Sequence, residues 1–135
     1  MKKFLVLMAT FLALFTISSP VNAQQSDQWT EGITSGSSDF EDVADAICTH
    51  SAGSVTVVQT NSSPNASGMY RIKNIVSFAT TYAVSITNGN QYTWTGVVAG
   101  THRLQVRRTT PADTNGWLSP GSGVTTFSGA FICPN

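Results

Sequence analysis

The chain is 135 residues long with seven basic and seven acidic side chains, and charged residues make up only 10% of it. A composition this balanced lacks the strongly basic footprint of a nucleic-acid binder, and two histidines leave few groups for acid–base chemistry. Two cysteines in total limit any covalent framework to one disulfide.

Met1-Lys2-Lys3 precedes an uncharged apolar run from Phe4 to Ile17, followed by Ser18-Ser19-Pro20-Val21-Asn22-Ala23. A basic start, an apolar middle too short to span a bilayer and small residues before the cut define a secretory signal peptide over 1–23. The expected mature chain starts at Gln24 and has 112 residues (135 − 23), the size of one domain. It is expected to be secreted, extracellular or periplasmic, with no membrane span after signal cleavage. A chain of this size buries roughly two-thirds of its unfolded surface, enough for one core with little margin.

Residues 24–37, QQSDQWTEGITSGS, are polar and read as an acidic flexible arm. Trp29 is the exception, because a tryptophan in an arm is suited to anchoring it on a surface. Ser38-Asp39-Phe40-Glu41 has the capping-box spacing, and Phe40, Val43, Ala44 and Ile47 recur at helical intervals. Together they predict a short amphipathic helix over 38–47. Cys48 follows it, and Cys133 lies near the far end of the chain, so an exported protein is expected to join the two. Closing 85 residues (133 − 48) contributes about 4–5 kcal/mol in the chain-entropy model. Two cysteines with no local histidine partner cannot complete a tetrahedral metal site, and no cofactor is expected.

From Ser54 onward, apolar and polar residues alternate with period two, the strand pattern. The predicted strands are 54–60, 69–76, 80–87, 91–97, 101–108 and 124–133. Asn88-Gly89-Asn90 and Ala99-Gly100 supply glycine turns of hairpin type between three of them. Tyr92, Trp94, Leu104, Val106, Phe127 and Phe131 are expected in the core. The 109–123 segment, rich in proline, glycine and Asp-Thr-Asn-Gly turn residues, is a long loop carrying Trp117. The fold expected is a mainly β, antiparallel β-sandwich, immunoglobulin- or fibronectin-like or else jelly-roll-like, with one N-terminal helix. The run Tyr92 to Val106 resembles hairpins of fibronectin-like and prealbumin-like sandwiches.

Charge is unevenly placed along the chain. Asp27, Glu31, Asp39, Glu41, Asp42 and Asp45 precede Cys48, whereas Arg71, Lys73, Arg103, Arg107 and Arg108 follow it. Arg71 and Lys73 on one strand, and Arg103 and Arg107 on another, project opposite to their apolar neighbours and form a basic patch if the strands are adjacent. Such a patch suits acidic polysaccharide, an acidic protein, or a second copy through the acidic arm. His102 shares the side of Leu104 and Val106, where a satisfied structural histidine is expected rather than a base. His50 beside Cys48 would be a nucleophilic pair only with a free thiol, and Glu41 and Asp42 adjoin in sequence and so point apart. The expectation is therefore a secreted, non-catalytic adhesion, binding or self-assembling structural protein. Its candidate contact residues are Trp29, Arg71, Lys73, Arg103, Arg107 and Trp117. The alternative is a small secreted effector, antimicrobial or hydrolase-inhibiting, that presents the 109–123 loop.

Overall fold

The computed structural model describes residues 24–34, 39–63, 67–109 and 124–135. The signal segment and Trp117 lie outside the described residues. Regular structure among the described residues is all β. The strands are β1 Gln25–Thr34, β2 Glu41–His50, β3 Gly53–Ser63, β4 Gly68–Asn74, β5 Val84–Ile86, β6 Asn90–Val97, β7 Gly100–Arg108 and β8 Val124–Cys133. They form two four-stranded sheets in the orders β1-β8-β3-β6 and β2-β7-β4-β5, with every pair antiparallel. The architecture is the β-sandwich expected from the alternation.

Period two explains which side of each strand faces inward. On β3 the buried residues include Val55, Val57 and Gln59, on β7 His102, Leu104 and Val106, and on β8 Phe127, Phe131 and Cys133. The connections differ from hairpins. β5, β6 and β7 lie in the second, first and second sheets in turn, so the glycine turns carry the chain across the sandwich. Gly89, at φ 77°, bends the first crossing, and its N–H donates to the Gln59 carbonyl of the first sheet at 2.7 Å. Gly96, at φ 65°, accommodates an extra residue in β6: Gly53 and Val55 of β3 face Val97 and Trp94, two steps against three.

Two expectations for the N-terminal part are corrected. Where the predicted 38–47 helix is described, the chain from Glu41 onward is strand β2, and a bulge interrupts its pairing. Asp42 faces Gln105 and Ile47 faces Arg103, so five residues of β2 advance against two of β7. The bulge turns Val43 and Ala46 both into the core, whereas Ala44 of the expected helical face is exposed and Ile47 only half-buried. Nor is 24–37 a free arm where it is described, because Gln25–Thr34 pairs along its length with β8. Trp29 and Ile33 are buried, at 2% and 0% exposure.

The core joins both sheets. Trp29 lies 6.0 Å from Tyr70, which meets the Phe127 ring edge-on at 6.4 Å. The Tyr70 hydroxyl donates to Gln59 Oε1 at 2.7 Å, and Gln59 Nε2 donates to Asn88 Oδ1 at 2.7 Å, so these two buried polar side chains are paired. Burial pushes the Tyr70 hydroxyl above its ordinary pKa, which keeps it protonated as that donor. Cys48 of β2 is bonded to Cys133 of β8, a disulfide that crosses between the sheets. Gly129 is fixed by close approach, since a Cβ there would stand 1.7 Å from the Val58 carbonyl oxygen.

Candidate binding surface

β4 and β7 are neighbours, with Met69 opposite Arg107, Arg71 opposite Gln105 and Lys73 opposite Arg103. Alternation therefore sets Arg71, Lys73, Arg103 and Arg107 on one outer face, the arrangement the sequence left conditional on strand adjacency. Phe40, just ahead of β2, lies under two of them. The Arg71 guanidinium carbon is 4.0 Å and that of Arg107 5.2 Å from its ring centroid, within cation–π range.

A polar chain continues the face. Arg71 Nε donates to Gln105 Oε1 at 2.7 Å, and Gln105 Nε2 donates to Asp42 Oδ1 at 2.7 Å. Arg103 Nη1 reaches Asp42 Oδ2 at 3.4 Å, a partly exposed ion pair worth at most about 1 kcal/mol. The Gln105 hydrogen bond, aided by the bond and charge of Arg103 and opposed by burial, holds the Asp42 carboxyl below its usual range. Here one acidic residue of the N-terminal part meets the basic body within one molecule. Lys73 Nζ lies 5.1 Å from the Phe78 ring centroid. Asp42, Lys73, Ile75, Phe78 and Arg103 line one hollow, which joins the face to the turn after β4.

That turn, Ile75–Ala79, exposes Val76 and Phe78, at 79% and 68%. Exposed apolar side chains this large, grouped beside cations, are features of contact surfaces. Asn74 builds the turn: its Oδ1 accepts the Val76 and Ser77 N–H groups at 2.9 and 3.0 Å, and its carbonyl accepts the Phe78 N–H at 2.9 Å.

Of the residues predicted from sequence, Arg71, Lys73, Arg103 and Arg107 come together. Trp29 does not join them, because it is packed in the core on the first sheet. Trp117 lies outside the described residues. Phe40, Asp42, Gln105 and Phe78 were missed. Phe40 and Asp42 carried a strand-like signal, two positions apart on one face, which the capping-box reading obscured.

His50 and His102 stand beside the disulfide at one end of the sandwich, with donor atoms of Cys48, His50 and Cys133 all within 4.8 Å of one another. The two sulfurs are bonded to each other and are not thiolates, so this grouping is a covalent staple beside an imidazole pair. Burial, followed by the charge of His50 and partly offset by the Gly100 backbone, holds His102 below its ordinary pKa.

Fold and surface define a class: a disulfide-stapled antiparallel β-sandwich with a cationic, aromatic-supported sheet face. The disulfide fits an oxidising extracellular compartment, and among the described residues no helix is long and apolar enough to cross a membrane. No protein-family model and no curated protein matches the chain.

Proposed function

We propose that the chain is a secreted, non-catalytic β-sandwich acting as an extracellular adhesion, binding or structural subunit, and that the outer face of its second sheet recognises an acidic polysaccharide or an acidic protein. The observation that carries this reading is the register of β4 on β7, which gathers Arg71, Lys73, Arg103 and Arg107. Phe40 supports two of the guanidinium groups from beneath, which reduces the freedom they would lose on meeting an anion. Secretion is supported by the basic-apolar-small order of residues 1–23 and by the disulfide. Self-assembly through a docking arm loses its anchor, since Trp29 is spent on the protein's own core.

Retention on an immobilised acidic polysaccharide tests the reading. The mature protein is expected to bind at low ionic strength and to elute as salt shortens the screening length towards about 3 Å near 1 M. Lys73→Glu combined with Arg107→Glu, two charge reversals on the face, is expected to pass through unretained. Equal retention of that variant and the parent would place any binding elsewhere.

A further inference from the structure

His50 and His102 are buried at 5% and 4% exposure, and His50 Nε2 lies 2.8 Å from His102 Nδ1. Their outer partners fix the protons. The Ser51 carbonyl accepts only, and it lies 2.6 Å from His50 Nδ1, so that nitrogen carries a hydrogen. In the neutral ring His50 Nε2 is bare and accepts from His102 Nδ1–H. His102 Nε2 is then bare too, and at 3.5 Å it faces Asn74 Nδ2, a donor at the long end of hydrogen bonding. The Asn74 amide is oriented by its other atom, because Oδ1 accepts from Val76 and Ser77.

A proton added to this pair has one destination. The two facing nitrogens share a single hydrogen and His50 Nδ1 already holds another. Whichever ring carries the charge, the third hydrogen therefore sits on His102 Nε2. There it opposes the Asn74 amide, donor against donor. Rotating that amide presents Oδ1 to the imidazolium and withdraws it from the Val76 and Ser77 N–H groups. Those two bonds help hold Phe78 at φ 62°, which makes it the only non-glycine residue with positive φ among the described residues. For an aromatic side chain that conformation is costly and persists where surrounding bonds enforce it.

We propose that His50, His102 and Asn74 form a proton-sensitive latch on the Ile75–Ala79 turn, closed while the imidazole pair is neutral and released when the pair takes up one proton. Besides each other, the groups facing the pair are Asn74 of β4, the Gly100 backbone of β7, and the Cys48–Cys133 disulfide from β2 and β8. Next to them Ser51 Oγ donates to the Asn135 carbonyl. Lys73 and Arg103 are one position away in sequence and project to the opposite face. Burial disfavours the charged form of His102, so the latch opens on the acid side of the ordinary histidine range. Its consequence for binding rests on the turn belonging to the proposed recognition surface. The latch itself is measured with no ligand present, so either idea can fail alone.

The test is an NMR titration of the mature, disulfide-intact protein from pH 8 to pH 5. The Val76 and Ser77 amides are expected to shift with the same midpoint as the His102 ring proton. Their exchange protection should fall by about fivefold, the factor for one ordinary hydrogen bond. In His102→Gln both responses should be absent; if that variant does not fold, the coincidence of midpoints in the parent decides. The latch is overturned if the imidazoles titrate while these amides stay fixed, if neither imidazole titrates in the window, or if the amides respond equally in a folded His102→Gln.

Discussion

Replacing Trp29 by alanine separates an edge strand from a flexible arm. Trp29 is 2% exposed, packs 6.0 Å from Tyr70, and its ring also lies against Gly129, where an added Cβ would come within 3.0 Å. Emptying a buried tryptophan site costs about 3–5 kcal/mol, a large part of the 5–15 kcal/mol typical of a domain. For a chain near 100 residues that is a fall in Tm on the order of 15 °C or more. Trp29 Nε1 has no hydrogen-bond partner among the described residues. Trp29→Phe removes an unpaired buried donor along with some volume, so its loss should be clearly smaller than that of Trp29→Ala. Urea and thermal melts of the disulfide-intact proteins read both values. A Trp29→Ala protein within 0.5 kcal/mol of the parent would refute the packing of β1 and restore the arm.

Gly129→Ala should either fail to fold or lose several kcal/mol in the same melts, since the new methyl meets the backbone of Val58 rather than a movable side chain. Replacing Cys48 and Cys133 together by alanine should lower stability by about 4–5 kcal/mol, as closure of an 85-residue separation implies. Phe40→Ala removes two cation–π contacts and should cost about 1–2 kcal/mol by denaturant melt, with weaker retention on an acidic matrix. For pH, His102 has a folded pKa below its ordinary 6.5. The unfolded chain therefore binds the proton first, and stability is full above that value and falls as pH drops through it. Asp42, lowered from 3.8, keeps its contribution above that value and loses it as pH falls further. Melting temperatures between pH 8 and pH 5 should decline, and His102→Gln should flatten the upper part of the decline.

Most strands from Gly53 onward were legible because both sheets bury one face, so period two survives in Val55, Val57, Leu104, Val106, Phe127 and Phe131, although the predicted 69–76 strand ends at Asn74 and the predicted 80–87 strand is regular only over Val84–Ile86. Alternation gives facing and not partners, so β5, β6 and β7 read as hairpins although they cross between sheets. β2 was illegible for a different reason: Phe40, Val43, Ala44 and Ile47 fall at helical intervals although its bulge buries Val43 and Ala46, and Ser38 to Glu41 reproduces a capping box by coincidence. In β1 the polar Gln25, Ser26, Gln28 and Thr30 outweigh Trp29 and Ile33, which is the composition of an edge strand with one solvated side. For the candidate surface the four cations were visible as an alternation. The contribution of Phe40 and Asp42 depends on where β2 lies, which no local pattern encodes. Only β2–β7 pairing, with Cys48 opposite His102, brings His50 to His102.

Mapping an acidic oligosaccharide onto the amides of the labelled protein tests the proposed recognition face most directly. Salt-sensitive shifts are expected to concentrate at Met69 to Lys73 of β4, Arg103 to Arg107 of β7 and around Phe40. Shifts confined to β1, β8 or the 109–123 segment, or binding that persists unchanged in high salt, would contradict it.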